Sequence, residues 1–252
     1  MNRLHAEYLR LYAPDPSALP AGSTTAADLV DAQGRVRALV LALGRPADWA
    51  LLSQVWQGVQ ADLGWPAPAI AVSGVDAFQL WFSLAEPLAA DSARQLLQAL
   101  CARYLPGLPA QRLDLWPTQR GPGSDPARHT APVPAEQAET GLWSAFVSQD
   151  LAAVFVEAPW LDIPPGEEGQ LTLLRSMQSV SPAALASAMA ELQAQPATAA
   201  TLAAAPGFAS LPVACTDPRQ FLLAVMNDAS VPLALRIDAA KALLPTPPAK
   251  TP

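Results

Sequence analysis

Ser73, Gln79, Trp81 and Asp114 have side chains suited to holding a phosphate, a base or a metal ion. A serine hydroxyl and a glutamine amide donate hydrogen bonds to phosphate oxygens. A tryptophan ring is a platform for a base, and a carboxylate at a strand end is a ligand for a divalent cation. Each type also has a commoner use. Ser73 can satisfy the backbone of a β-turn, Asp114 can pair with an arginine or with water, and Trp81 can be covered by another layer. Asp76 and Glu86 stand at the ends of the same strand as Gln79 and Trp81 and could supply carboxylates from another direction. His129, in a loop with Arg120 and Arg128, could contact a phosphate or act as a general base, although a lone histidine in such a loop is usually solvated.

Whether these groups meet depends on the elements that carry them. Val36 to Leu43 (VRALVLAL) is a short apolar run opened by Gly34 and closed by Gly44 and Pro46, the pattern of a buried strand. Trp49, Leu52, Val55, Trp56, Val59 and Leu63 recur at threes and fours, so a helix follows, started by Asp48 or its neighbour and stopped by Gly64 and Pro66. Ala69 to Val72 reads as a second strand, Ser73 to Asp76 as a tight turn and Phe78 to Leu84 (FQLWFSL) as a third strand, which together make an antiparallel hairpin. Alternation puts Phe78, Leu80, Phe82 and Leu84 on one face and Gln79, Trp81 and Ser83 on the other. The first face should meet the helices. The second should carry Trp81 beside Gln79, either open or covered by apolar segments from the C-terminal part of the chain. Asp91 or Ser92 can cap a helix bearing Leu96, Leu97, Leu100, Cys101 and Tyr104, and Leu113 to Trp116 supplies a fourth strand. The fold class expected is therefore α+β: an RRM-like (ferredoxin-like) β-α-β-β-α-β unit over residues 31–120, with sheet order 4-1-3-2, followed by a mostly helical C-terminal region.

Residues 1–30 read as a helix from Arg3 to Tyr12, with Leu4, Tyr8 and Leu11 as its apolar stripe, and a loop that begins at Pro14. Residues 121–180 read as a Pro- and Gly-rich surface loop followed by helices over Leu142 to Phe155 and Gln170 to Met177. Pro159, Trp160 and Leu161 should fold back onto the sheet. Within residues 181–252, Ser181 and Pro182 start a helix ending near Gln195. The closing stretch DPRQFLLAVMNDASVPLALRIDAAKALLP reads as a helical hairpin. Its apolar stripe needs a surface to cover, which makes Phe221, Val225 and Arg236 candidates for contact with a protein partner.

The net charge of -7 is unevenly spread: 10 acidic and 9 basic residues through Arg120, then 12 and 6. Avid nonspecific binding to DNA or RNA needs clustered positive charge. The sequence supplies none, unless Arg35, Arg37, Arg45, Arg94, Arg103, Arg112 and Arg120 converge around the sheet. Hydrophobic residues make up 51% of the chain, yet no run approaches the roughly 18 apolar residues that cross a bilayer. A soluble protein with no membrane partner is expected. Arg3, His5, Glu7 and Arg10 interrupt the N-terminus, which argues against a secretory signal and for the cytoplasm. Cys101 and Cys215 are far apart and belong to no metal-binding spacing. No P-loop, dinucleotide fingerprint, HExxH or Ser/His/Asp arrangement occurs, so no cofactor is expected.

The stretch AIAVSGVDAFQLWFSLAEPL, followed by a helix and then RLDLWPTQ, resembles the core of archaeo-eukaryotic primases and primase-polymerases over about residues 30–120. The likeness is carried by the VSG turn, FQLWFSL and LDLWP. It implies nucleotidyl transfer with two divalent cations held by carboxylates on adjacent strands, a first strand ending in an acidic pair, and a histidine near the start of the third strand. In this chain Leu41 and Leu43 stand where the acidic pair is expected, and Gln79 stands at the histidine position. Asp114 alone matches a carboxylate. The resemblance therefore implies a degenerate, noncatalytic relative. The C-terminal hairpin resembles a helical segment of phage terminase small-subunit-like and related phage or plasmid proteins, which implies a mobile-element context.

Two functions follow as expectations. The first is a noncatalytic primase-like protein that binds single-stranded nucleic acid, through Ser73, Gln79, Trp81 and Asp114, or a replication or mobile-element partner. The other is an interaction or scaffold protein that works through its acidic C-terminal helices, the sheet unit being merely structural.

Overall fold

The computed structural model describes residues 3–15, 29–118 and 127–194. Phe221, Val225 and Arg236, with the rest of the expected C-terminal hairpin, lie outside the described residues. The described elements belong to a unit spanning Met1–Ala194, distinct from Gln195–Pro252. This unit is α+β, with one five-stranded antiparallel sheet and six α-helices among the described residues. No helix among them is long and apolar enough to cross a membrane.

In chain order the elements are α1 (Arg3–Tyr12), β1 (Arg35–Gly44), α2 (Trp49–Ala61), β2 (Ala69–Val72), β3 (Ala77–Ala89), α3 (Ala90–Tyr104), β4 (Leu113–Trp116), β5 (Ala145–Val147), α4 (Gln149–Ala152), α5 (Glu167–Ser176) and α6 (Pro182–Ala194). The sheet order is β4-β1-β3-β2-β5. Asp48 caps α2 by accepting from the Leu51 N–H at 3.0 Å. Ser181 does the same for α6 by accepting from the Ala184 N–H at 3.2 Å.

Strand β3 is longer than FQLWFSL because it bulges. Ala38 pairs with Ser83 and Val36 with Leu88, leaving Leu84 to Pro87 opposite Arg37. A proline is tolerated there because no ladder N–H is required of it. Arg37 Nε donates to the Leu84 carbonyl at 2.8 Å and so satisfies the bulged backbone. Strand then runs directly into helix: the N-cap of α3 is Ala89, which makes no side-chain cap. The cap expected from Asp91 or Ser92 is absent because both residues already lie within the first turn. Instead the Ala90 N–H donates to the Gly34 carbonyl at 3.0 Å.

One sheet face is aliphatic. Leu39, Leu41, Leu43, Ile70, Val72, Phe78, Leu80 and Phe82 pack with Leu52, Val55 and Val59 of α2 and with Leu96, Leu97 and Leu100 of α3. The hydrophobic contribution of each fully buried side chain is about 1.5–3 kcal/mol. Helix α6 joins this layer through Ala188 and an Arg103–Glu191 ion pair at 2.6 Å. On the other face Ala38, Val40, Ala69, Ala71, Trp81 and Phe146 form a second core with Tyr8, Leu11 and Tyr12 of α1, Leu174 of α5, and Val133. The cover over Trp81 therefore comes chiefly from the N-terminal helix.

The helix expected over Leu142 to Phe155 is replaced by β5, the four-residue α4 and a short 3-10 turn. Strand β5 pairs with β2 on one side. The Gln170 side chain of α5 both accepts from the Phe146 N–H at 2.8 Å and donates to the Phe146 carbonyl at 2.9 Å, as a neighbouring strand would. Pro159 folds back as expected, its carbonyl accepting from the Gly74 N–H at 3.0 Å.

Candidate functional site

Strand register divides the α1-covered face into rows. Asp114, Ala42, Gln79, Ala71 and Phe146 align in one row, and Trp116, Val40, Trp81 and Ala69 in the next. The second row is sealed at Trp81, whereas Trp116 at its end is part-exposed and lines a cavity. The Trp81 ring is 1% exposed, with ring centroids of Tyr12, Phe146, Tyr8 and His129 at 5.1, 5.9, 6.0 and 6.1 Å. A base cannot stack on Trp81 unless α1 leaves, so the expected stacking role is corrected to a core role. The indole N–H donates to Gln79 Oε1 at 2.8 Å, linking the sealed row to its neighbour.

His129 belongs to the sealed row too, and the expectation of a solvated loop histidine is corrected. Its Nδ1 accepts from the Thr130 N–H at 3.0 Å. Nε2 therefore carries the proton and donates to the Ala38 carbonyl, also at 3.0 Å. Burial pushes its pKa down to about 4, because a charged ring in this apolar layer would lose its hydration.

At the Gln79 row the cover ends and a cavity of about 330 Å³ opens. It gathers Ser73, Gln79 and Asp114, three of the four residues singled out from the sequence, with Arg45, Asp76, Thr130, Gln137 and Ser144. Ser73 Oγ accepts from the N–H groups of Val75, Asp76 and Ala77 at 3.0–3.1 Å and so builds the turn. The turn needs glycine next. Gly74 has φ +79°, and a Cβ there would meet the Ser144 nitrogen at 2.8 Å. Gln79 makes its hydrogen bond to Trp81 through Oε1, which leaves the amide N–H groups for the cavity.

Asp114 is paired with arginine. Arg45 Nη2 donates to Asp114 Oδ2 at 2.8 Å and its Nε to the Gln111 carbonyl at 2.7 Å. The carboxylate's hydrogen bond raises the Arg45 pKa and fixes its charge. Both side chains are nearly half exposed, so the pair contributes at most about 1 kcal/mol to stability. Its effect is positional. Arg45 also holds φ 55°, the left-handed region that costs a non-glycine residue of order 1–3 kcal/mol. The sequence named Arg45 among seven arginines around the sheet without singling it out, because its position depends on how the chain leaves β1.

Register decides which side chains of β1 face the cavity. Leu41 and Leu43 face α2 and α3 and are fully buried. Ala42 faces the cavity, directly between Asp114 and Gln79. Of the other candidates, Asp76 lines the cavity, whereas Glu86 lies in the β3 bulge at the far end of that strand. Among the described residues no group of three His, Cys, Asp or Glu side chains could hold a metal ion.

Among the described residues the arginines do not form a broad basic patch. Arg35 pairs with Asp31, and Arg103 with Asp62 and Glu191. Arg37 and Arg94 donate to backbone carbonyls. Only Arg45 and Arg112 flank the turn after β1, where Arg112 donates to the Pro46 carbonyl at 2.8 Å. Arg120 lies outside the described residues. No known protein family matches the sequence, and no curated protein matches it.

Proposed function

We propose that this protein is a noncatalytic, primase-like chain that holds single-stranded nucleic acid at the cavity beside Arg45, Gln79 and Asp114. The observation that carries this reading is the convergence of Ser73, Gln79 and Asp114 on one cavity, with a guanidinium held at its rim. The RRM-like part of the reading is supported by the order of β4, β1, β3 and β2 and by the packing of α2 and α3 against one face.

Guanidinium N–H groups suit phosphate oxygens, and the Gln79 amide suits either a phosphate or a base edge. Affinity is modest, because Asp114 neutralises Arg45 and Asp76 adds a second negative charge. Nucleotidyl transfer needs carboxylates on adjacent strands to hold two cations. Here Ala42 occupies the intervening position and Arg45 competes with any cation for Asp114.

Fluorescence anisotropy with labelled single-stranded DNA and RNA at low salt tests the reading. Binding at micromolar protein is expected, weakened by about tenfold in Arg45→Ala, the loss of one charge-assisted contact. The absence of binding, or binding indifferent to Arg45→Ala and Gln79→Ala, would refute it. Nucleotide incorporation with Mn²⁺ that Asp114→Ala removes would refute the noncatalytic half.

A further inference from the structure

Among the described residues, the large apolar side chains that stand exposed come from two stretches. Val75 lies in the β2–β3 turn (51%), and Leu151, Val154, Val156 and Ile163 (54, 71, 40 and 70%) lie in the segment after β5. One backbone bond ties the stretches together: the Gly74 N–H donates to the Pro159 carbonyl at 3.0 Å. Between them lies a groove of about 500 Å³ with Val75, Val156, Pro159 and Trp160 as apolar wall and Asp76 and Glu157 as its charges. Apolar side chains concentrated on one surface and rimmed by polar groups mark interaction sites rather than scattered surface residues.

Charge selects the occupant. Residues 149–168 contain Asp150, Glu157, Asp162, Glu167 and Glu168 and no lysine or arginine. Two cations stand at the turn that carries the groove residue Pro46: Arg45 is held by Asp114 and the Gln111 carbonyl, and Arg112 by the Pro46 carbonyl with Asp48 nearby. This surface repels the phosphates of nucleic acid and of acidic lipids. A symmetric contact with a second copy would set the same carboxylates against each other. We infer that the groove docks a segment of another protein whose apolar side chains are flanked by lysine or arginine. The apolar wall supplies affinity, and the carboxylates supply orientation and a fast association rate. The groove shares Val75 and Asp76 with the nucleic-acid cavity but does not depend on that proposal.

The probes are a labelled amphipathic Leu/Lys peptide, a Leu/Glu peptide of the same length, and a labelled oligodeoxynucleotide, each titrated against the full chain. The Leu/Lys peptide is expected to bind and to slow hydrogen exchange at residues 73–76 and 151–163. The double variant Val75→Ser/Val156→Ser should weaken it at least tenfold and Glu157→Lys severalfold, with thermal stability unchanged because these side chains are exposed. Oligodeoxynucleotide binding should survive the single variant Val156→Ser, whose side chain lines the groove and not the nucleic-acid cavity. The inference is overturned by failure of the Leu/Lys peptide to bind, by equal binding of the Leu/Glu peptide, or by protection confined to other residues. It is equally overturned by a dimer in sedimentation that Val156→Ser dissolves, or by variants that lose the oligonucleotide and keep the peptide.

Discussion

Two adjacent rows of the same sheet face have opposite fates. At Trp81 one row is aromatic and closed by α1. The Gln79 row, two residues away along β3, opens into a polar cavity with an ion pair at its rim. Strand alternation puts both rows on one face, so their difference comes from what α1 and residues 127–133 cover and where that cover stops. On this face the centre of the sheet is core, and the cavity opens beside Ala42, Gln79 and Asp114.

The sharpest way to break this contrast is Trp81→Ala. If the row is core, truncation should cost about 3–5 kcal/mol, read as a shift in the urea midpoint. A cost below about 1 kcal/mol would mean that the row is not packed as described. The next effect is a pH dependence through His129. The folded pKa of about 4 lies below the ordinary 6.5, so between these values the unfolded chain takes up a proton that the folded chain refuses. Stability should therefore fall by up to about 3 kcal/mol as pH drops from about 6.5 to about 4. His129→Gln should lose that part of the slope in denaturation curves collected across the window.

A smaller effect of opposite sign is expected at Tyr8. Its hydroxyl is buried with no hydrogen-bond partner among the described residues. Removing an unsatisfied polar group relieves a desolvation penalty, so Tyr8→Phe should be neutral or stabilising by about 1 kcal/mol, measurable as an unchanged or raised thermal midpoint. The smallest stability effect belongs to the open row. Arg45→Ala breaks a half-exposed ion pair and should change stability by less than about 1 kcal/mol while it weakens nucleic-acid binding. Large effects on stability in one row and on binding in the other would sharpen the division.

Much of this sheet could be read from the sequence because β3 alternates cleanly. FQLWFSL separates Phe78, Leu80 and Phe82 from Gln79, Trp81 and Ser83, and the contacts follow that division. VRALVLALG does not alternate, since both faces of a central strand are buried. The sequence therefore could not say whether Leu41 and Leu43 or Ala42 faced the cavity. Strand β5 has only three residues, too few for a period, and its outer edge depends on Gln170 from a distant helix. The stripe Leu4, Tyr8 and Leu11 identified α1 as amphipathic, but the face it covers is a long-range choice that periodicity does not encode. For the same reason the sequence grouped Arg45 with six other arginines and did not show its pairing with Asp114.

The most direct measurement is an amide and side-chain NMR titration with a short oligothymidylate. Binding at the open row should move the Gln79 side-chain NH₂ and the amides of Thr130 and Ala131, with the Trp81 indole N–H shifting only through its bond to Gln79 and remaining sharp. Broadening or loss of the Trp81 indole signal together with the ring signals of Tyr12, while Gln79 and Thr130 stay unmoved, would contradict the account, because it would mean that α1 lifts and the sealed row binds the base.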